Sequence, residues 1–207
     1  MTTDLIFDMS AYSYIEGLKA IRLMFEAACK ALSDQSAKIH RSIDEYQQHL
    51  DTGGEPIGEW EDGHRLWDQD DLLRLENLAI AEAGLELRVA TTIAIYHHWE
   101  RSIPCPNGSK NRCHERLIED AINSGINLHK DVDALCFATN YLKHGTEKWR
   151  AKLLDRWPDR FSSRHPKNEH SPSWIRKLHL DNVHVEWFLE IAHQSERPLS
   201  NHRIISN

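Results

Sequence analysis

The fold class follows from the stretch Leu72-Leu-Arg-Leu-Glu-Asn-Leu-Ala-Ile-Ala-Glu-Ala-Gly-Leu-Glu-Leu-Arg-Val-Ala-Thr-Thr-Ile93. Its apolar residues recur every three or four positions, which places them on one face of an α-helix. Asp68 or Asp70 can cap the start of this helix, and the pattern continues to about Arg101. At about 1.5 Å per residue such a helix is roughly 50 Å long. We therefore expect it to form the centre of a helical bundle.

The same spacing recurs on both sides of this helix. The segments predicted to be core helices are 10–50, 68–102, 112–124, 131–144 and 181–194. The segment with Trp60 and Trp67 is expected to be a polar loop with aromatic anchors, and residues 157–173 a surface loop. The tail after Pro198 is expected to be unstructured. The sequence predicts an all-α protein, a single-domain helical bundle over 1–207 with long antiparallel helices.

The charge of the chain is uneven. With 207 residues, 40% of them hydrophobic and 28% charged, the chain can bury one sizeable core. Residues 1–80 carry 16 Asp/Glu against 7 Lys/Arg, whereas residues 143–167 carry 8 Lys/Arg against 3 Asp/Glu. The net charge of −7 argues against a protein that coats nucleic acid generally. The basic stretch could still contact a phosphate backbone, or it is a solvated helix face.

The expected location is the cytoplasm. No apolar run is long enough to span a membrane, and the first residues do not form an export signal. Cys29, Cys105, Cys113 and Cys136 lie far apart in the sequence. They are expected to be reduced thiols rather than a disulfide framework.

The candidate site is the run Asn140-Tyr-Leu-Lys-His144-Gly145, where a helix is predicted to end. Asn140 and His144 are four residues apart and share a helix face, with Lys143 beside them. A histidine can move a proton near neutral pH, while an amide and an ammonium can hold a phosphate as charge develops. This chemistry needs no metal or other cofactor. Alternatively, His144 and Gly145 simply form a favourable helix C-terminus.

A second group of polar residues, Tyr96-His-His-Trp-Glu100-Arg101, comes from the end of the long helix. His97 and Arg101 are one turn apart on that helix. In a bundle this end could lie against the candidate site, where Glu100 would orient His144. Alternatively, Glu100 and Arg101 form a surface ion pair that contributes little.

The run Leu135-Cys-Phe-Ala-Thr-Asn140-Tyr-Leu-Lys-His144-Gly145 resembles the signature helix of the HEPN superfamily. Members are helical bundles, often dimeric, with an Arg-Asn-x-x-x-His pattern, and many are metal-independent ribonucleases of toxin–antitoxin and phage-defence systems. The resemblance matches Asn140 to the Asn and His144 to the His. Thr139 stands where active members carry Arg. Lys143 or Arg101 could replace that guanidinium, or the activity has been lost.

A broader resemblance covers roughly residues 85–165. The runs Tyr96–Arg101, Asn140–Gly145 and Leu154-Asp-Arg-Trp-Pro-Asp-Arg-Phe161 are similar, in that order, to a group of bacterial helical proteins of unassigned activity. This second resemblance implies a helical fold without implying a reaction.

Two functions from different classes are therefore expected. The first is a metal-independent endoribonuclease, active as a homodimer, of a bacterial defence or toxin–antitoxin system. Its catalytic residues would be Asn140, Lys143 and His144, supported by His97, Glu100 and Arg101, with RNA bound by Lys148, Arg150, Arg156 and Arg160. The second is a non-catalytic interaction module or regulatory subunit, which would bind a protein partner encoded in the same operon.

Two metal sites are weaker alternatives. A zinc site at Cys105, Cys113 and His114 lacks a fourth ligand and has unusual spacing. A two-metal carboxylate site would use the Glu190-x-x-His193 element with acidic residues of the long helix, Glu82 and Glu86, and with His97. Such bundles need two Glu-x-x-His elements, and the sequence offers one. We expect no metal.

Overall fold

The computed structural model of the chain describes residues 3–62, 64–104, 113–161, 178–196 and 200–204. Over these residues the protein is predominantly α-helical, with six α-helices and two small two-stranded sheets. The all-α prediction is confirmed. Among the described helices, none combines the length with the hydrophobicity that crossing a bilayer requires.

The described residues form six helices, and five of them begin and end close to the positions expected from apolar spacing. The six helices are α1 Met9–Asp51, α2 Gln69–Ser102, α3 His114–Asn123, α4 Val132–His144, α5 Glu147–Arg156 and α6 Asn182–Gln194. The five predicted core segments differ from these bounds by no more than two residues. Apolar spacing was sufficient to predict these bounds. The expectation that the leucines at the start of α2 face a core was wrong, because Leu72, Leu75 and Leu78 are exposed.

Four short strands depart from the sequence expectation. They are β1 Thr3–Phe7, β2 Gly58–Glu61, β3 His64–Asp68 and β4 Ser200–Ile204, with β1 antiparallel to β4 and β2 antiparallel to β3. The prediction of an unstructured tail was therefore wrong. So was the loop with aromatic anchors, because Trp60 and Trp67 lie on a hairpin and are 56% and 37% exposed. A hairpin with solvent on most of its surface lacks the alternation that identifies a strand.

The chain divides into two compact units. The first unit comprises Met1–Met24 and Arg88–Asn207, and the second comprises Phe25–Leu87. Both α1 and α2 contribute residues to each unit. The single domain expected from the sequence stays a prediction.

Helix α4 is the central element of the first unit. Its residues from Ala134 to Thr139 are all buried, as are Tyr141 and Leu142, and α4 contacts α5 and α6. A helix that is apolar around most of its circumference is stable only when neighbours cover it. The remaining polar residues of its last two turns, Asn140, Lys143 and His144, therefore lie at the edge of this core.

The first turns of α1 complete the core of the first unit. Tyr14 is 5% exposed, and its hydroxyl donates a hydrogen bond to the backbone oxygen of Ala192, 2.7 Å away. The Tyr14 ring stacks on the imidazole of His98 with centroids 5.0 Å apart. Gly17 faces the same imidazole, and a Cβ there would lie 2.2 Å from its Cε1. The glycine is thus required by the close approach of His98.

The second unit has a smaller core and a capped helix. Its buried apolar side chains include Phe25, Ile39, Tyr46 and Leu73. Asp68 caps α2, since its Oδ1 accepts a hydrogen bond from the backbone N–H of Asp71 at 2.8 Å. This is one of the two caps expected from the sequence. The Tyr46 hydroxyl accepts a hydrogen bond from the Ile57 backbone N–H at the start of the hairpin.

Candidate functional site

A cavity of about 300 Å³ opens in the first unit, lined by α2, α4, α5 and the start of α3. It brings together four of the residues predicted for the site: His97, Glu100, Asn140 and Lys143. These residues come from two helices that are remote in sequence. The expectation that the end of α2 lies beside Asn140 therefore agrees with the cavity.

The imidazole of His97 bridges the two helices. Its Nδ1 lies 2.8 Å from Oε2 of Glu100, and its Nε2 lies 3.4 Å from Nζ of Lys143. An ammonium has donors and no acceptor, so Nε2 accepts and Nδ1–H donates to the carboxylate. This tautomer directs a basic nitrogen toward Lys143. A half-exposed imidazole held in this way can serve as a general base.

Local helix geometry explains why these groups meet. His97 and Glu100 are three residues apart near the end of α2, where such pairs are neighbours on the helix surface. Lys143 lies in the last turn of α4, which ends at Gly145 in the left-handed conformation with φ of 63°. The predicted glycine stop is thereby confirmed.

A second imidazole, that of His114, lies in the same cavity. Its Nε2 is 2.9 Å from Oδ1 of Asp133, and its Nδ1 is 3.4 Å from the Tyr96 hydroxyl. Asp133 also accepts a hydrogen bond from Arg156. Burial alone would raise the pKa of Asp133, but the hydrogen bonds from Arg156 and His114 outweigh it and hold that pKa below its ordinary value. His114 therefore faces a carboxylate that stays ionised.

Sequence reasoning considered His114 only as a zinc ligand. Its partner Asp133 is 19 positions away on another helix, and Tyr96 is 18 positions away. No local spacing connects these three residues. Only the packing of α2, α3 and α4 shows that they form one group.

The amide of Asn140 is committed to its own helix. Its Nδ2 donates to the backbone oxygen of Cys136 at 3.0 Å and to Sγ of Cys136 at 3.2 Å. The amide therefore offers a ligand its oxygen, which accepts hydrogen bonds from hydroxyl or N–H groups. The sequence suggested a phosphate contact, for which a donor is needed. In this conformation Lys143 is better suited to a phosphate than Asn140.

Burial keeps two further groups of the cavity protonated. It raises the pKa of the Cys136 thiol to about 11. Burial, together with the neighbouring Cys136, also raises the pKa of the Tyr96 hydroxyl above its ordinary value. Near neutral pH both groups are uncharged. Cys136 is thus a weak hydrogen-bonding group rather than a thiolate nucleophile.

Two predicted site residues, His144 and Arg101, are not among the described lining residues of the cavity. His144 is exposed at the end of α4, and the described lining of the cavity does not include it. Glu100, which was expected to orient His144, is bonded to His97 instead. Arg101 is exposed, and its Nε donates to the backbone oxygen of His97 at 3.0 Å.

Thr139 occupies the position at which the HEPN pattern has Arg. This residue is 1% exposed, and its hydroxyl has no hydrogen-bond partner among the described residues. A guanidinium here would be buried without a counter-charge, which is strongly destabilising. In this protein, position 139 belongs to the core. Among the described lining residues, Lys143 is the one Lys or Arg side chain of the cavity.

Four cations lie at four-residue intervals along α5 and the turn after it, and we call them the basic stripe: Lys148, Lys152, Arg156 and Arg160. Each stands over an aromatic ring. The distances from cation to ring centroid are 5.3 Å for Lys148 over Trp149, 4.7 Å for Lys152 over Phe137, 4.7 Å for Arg156 over Trp157 and 4.9 Å for Arg160 over Trp187. Two of these rings, Phe137 and Trp149, also line the cavity. The basic stripe therefore begins at the cavity.

Arg150 differs from the other predicted RNA contacts. It is 8% exposed and donates to Glu147 at 2.6 Å. A phosphate backbone at the surface would not reach it without a rearrangement. Arg150 is not part of the basic stripe. Lys152, which the site prediction did not include, belongs to it.

The described part of the chain contains no cluster of side chains that would support either metal alternative. No group of three or more His, Cys, Asp or Glu there lies close enough together to hold a metal ion. Cys105 of the zinc alternative lies outside the described residues, while Cys113 and His114 line the cavity. Glu190 of the two-metal alternative is exposed and accepts a hydrogen bond from Gln194.

Comparison with known proteins identified no relative of this chain. No protein-family model, no curated protein and no solved structure matches the chain significantly. The HEPN resemblance therefore rests on the motif residues of α4.

Proposed function

We propose that this protein is a metal-independent endoribonuclease that cleaves RNA in the cavity of the first unit. One observation carries the proposal: the imidazole of His97 is bonded to Glu100 through Nδ1 and meets the Lys143 ammonium through Nε2. A base and a phosphate-binding cation thus stand side by side. The resemblance of α4 to the HEPN signature helix suggests the same reaction class, but the proposal assigns the base to His97 instead of the motif residue His144.

In the proposed reaction, Nε2 of His97 removes the proton from a ribose 2′-hydroxyl. The 2′-oxygen then bonds to the adjacent phosphorus, and the bond from phosphorus to the 5′-oxygen breaks. The departing 5′-oxygen takes a proton from an acid. The products are a 2′,3′-cyclic phosphate and a 5′-hydroxyl, and Lys143 neutralises charge on the phosphate oxygens.

His114 is the proton donor in this scheme. Asp133 lies 2.9 Å from its Nε2 and orients the ring. Its other nitrogen faces the Tyr96 hydroxyl at 3.4 Å, within the cavity. The two imidazoles have separate carboxylate partners, and the scheme assigns the base to His97 and the acid to His114.

The basic stripe supports RNA as the substrate. Alternating cations and aromatic rings bind single-stranded nucleic acid through phosphate contacts and base stacking. Trp149, which is half-buried and lines the cavity, connects this surface to it. In this proposal a strand lying along the stripe enters the cavity that His97 lines.

His144 is not a catalytic residue in this proposal. As an exposed residue in the last turn of α4, it interacts favourably with the negative end of the helix dipole. The homodimer and the defence or toxin–antitoxin setting stay predictions from the resemblance.

The test is cleavage of a short single-stranded RNA by purified protein, with the ends of the products identified by mass spectrometry. Wild type should give 2′,3′-cyclic phosphate and 5′-hydroxyl ends. His97→Ala should reduce the rate by about 10²-fold or more. The matched control is His193→Ala, which removes an exposed histidine of α6 and should leave the rate unchanged. Products with 5′-phosphate ends, or an unaffected His97→Ala variant, would contradict the proposal.

The second candidate is a protein-binding module, and the surface of the second unit favours it. Thirteen large hydrophobic side chains are exposed among the described residues, and seven of them lie within residues 57–78. Such a concentration marks an interaction surface more often than a catalytic one. An active nuclease with a binding surface elsewhere would carry both features.

A further inference from the structure

The second unit carries a groove of about 440 Å³, formed by β3 and the first turns of α2. Its apolar lining consists of Leu66, Trp67, Leu72, Leu75 and Leu78. The three leucines of α2 follow one another at intervals of three residues, so they form a ridge along one side of the helix. The groove has the form that receives the apolar face of another helix.

The leucines of this ridge are unusually open to solvent. Leu75 is 62% exposed, Leu78 is 53% exposed and Leu72 is 41% exposed. Removing such side chains from water stabilises a complex. A ligand that covers the ridge therefore gains binding energy from these leucines.

The charge around the groove indicates what that ligand carries. Residues 57–78 contain seven Asp/Glu and two Lys/Arg, a net charge of −5. Both cations are already paired, since Arg74 lies 2.8 Å from Asp70 and Arg65 lies 3.1 Å from Asp71. Glu61, Asp62 and Glu76 are exposed. The surplus charge that a ligand meets here is negative.

We propose that this groove binds a cationic amphipathic helix of a partner protein. Its apolar face would cover Leu72, Leu75 and Leu78, and its Lys and Arg residues would pair with the acidic rim. A second copy of the chain is disfavoured in a groove-to-groove arrangement, because two surfaces of net charge −5 would repel each other. The site is independent of the proposed nuclease activity.

The experiment uses the full chain and two synthetic helical peptides of about 18 residues, one of Leu and Lys and one of Leu and Glu in the same pattern. Calorimetry should show binding of the Leu/Lys peptide and none of the Leu/Glu peptide. Leu75→Gln with Leu78→Gln should weaken binding by roughly tenfold or more. Both sites are exposed, so the variant should fold normally. The matched control replaces Ile122 and Val183, which are 61% and 64% exposed in the first unit, by Gln.

Three results would overturn the proposal. The Leu/Lys peptide could fail to bind, both peptides could bind equally, or the paired leucine variant could bind as well as the control variant. Analytical sedimentation of wild type and of the leucine variant tests whether a second copy is the occupant. If wild type is a dimer and the leucine variant a monomer, a second copy occupies the groove and the proposal is wrong.

Discussion

The ammonium of Lys143 lies 3.4 Å from Nε2 of His97, although the two residues are 46 positions apart in the chain. The contact joins the end of α2 to the end of α4. It also fixes which imidazole nitrogen is basic, because Lys143 can only donate and Glu100 can only accept when ionised. The proposed chemistry depends on this pair rather than on a motif within one helix.

The buried hydroxyl of Thr139 should destabilise the protein. Thr139→Val keeps the shape of the side chain and removes an unbonded polar atom, so it should raise the free energy of unfolding by about 1 kcal/mol. Urea denaturation measures the change. The matched control is Thr92→Val, because the Thr92 hydroxyl donates to the Arg88 backbone oxygen at 2.9 Å. A gain in stability for Thr92→Val equal to that for Thr139→Val would contradict this explanation.

The contact between Gly17 and His98 should make an ordinarily favourable substitution harmful. Gly17→Ala gains about 1 kcal/mol from helix propensity. It should nevertheless lower the free energy of unfolding by about 1–3 kcal/mol, because its Cβ would overlap an imidazole held by Tyr14. In a His98→Ala background the same substitution should become neutral or stabilising. An equal effect in both backgrounds would show that the clash is not the cause.

Asp133 should make stability dependent on acid pH. Burial raises its pKa, hydrogen bonds from Arg156 and His114 lower it more, and the folded pKa lies below the unfolded value of about 3.9. The carboxylate therefore contributes stability above about pH 4 and loses it as pH falls through the folded pKa. Asp133→Asn should reduce the loss of stability between about pH 5 and about pH 3. Asp159→Asn, at an exposed residue, controls for the change in net charge. If Asp133→Asn loses as much stability as wild type when the pH falls, the prediction is wrong.

The basic stripe should make RNA binding depend on salt. In a His97→Ala background, Lys152→Ala should weaken binding of single-stranded RNA and reduce the slope of log K against log salt by about 0.7. Lys38→Ala, at an exposed lysine of the second unit, is the control and should leave the slope unchanged. Fluorescence anisotropy over a range of salt concentrations measures both. An unchanged slope for Lys152→Ala would remove the stripe from the RNA interface.

The helices were predictable because apolar spacing and caps act within a few residues. Asp68 at the start of α2 and Gly145 at the end of α4 have the conformations that their residue types favour. The hairpin was not predictable, because Trp60 and Trp67 are exposed and no buried face imposes an alternating pattern. The sequence therefore predicts the helices, and it misses the hairpin, whose side chains are mostly exposed.

The candidate site was predictable only in part. Asn140, Lys143, His97 and Glu100 line one cavity, as their positions at helix ends suggested. The pairings were not predictable, because His97 bonds Glu100 and His114 bonds Asp133 through the packing of several helices. The burial of Thr139 was equally hidden, since a threonine fits a surface as well as a core.

The most direct test compares the single-turnover rate of RNA cleavage in His97→Ala with that in His144→Ala, at equal folded fractions. The cavity predicts a loss of about 10²-fold or more for His97→Ala and little change for His144→Ala, because only His97 has its basic nitrogen beside Lys143. Loss of cleavage in His144→Ala with normal cleavage in His97→Ala would contradict the account.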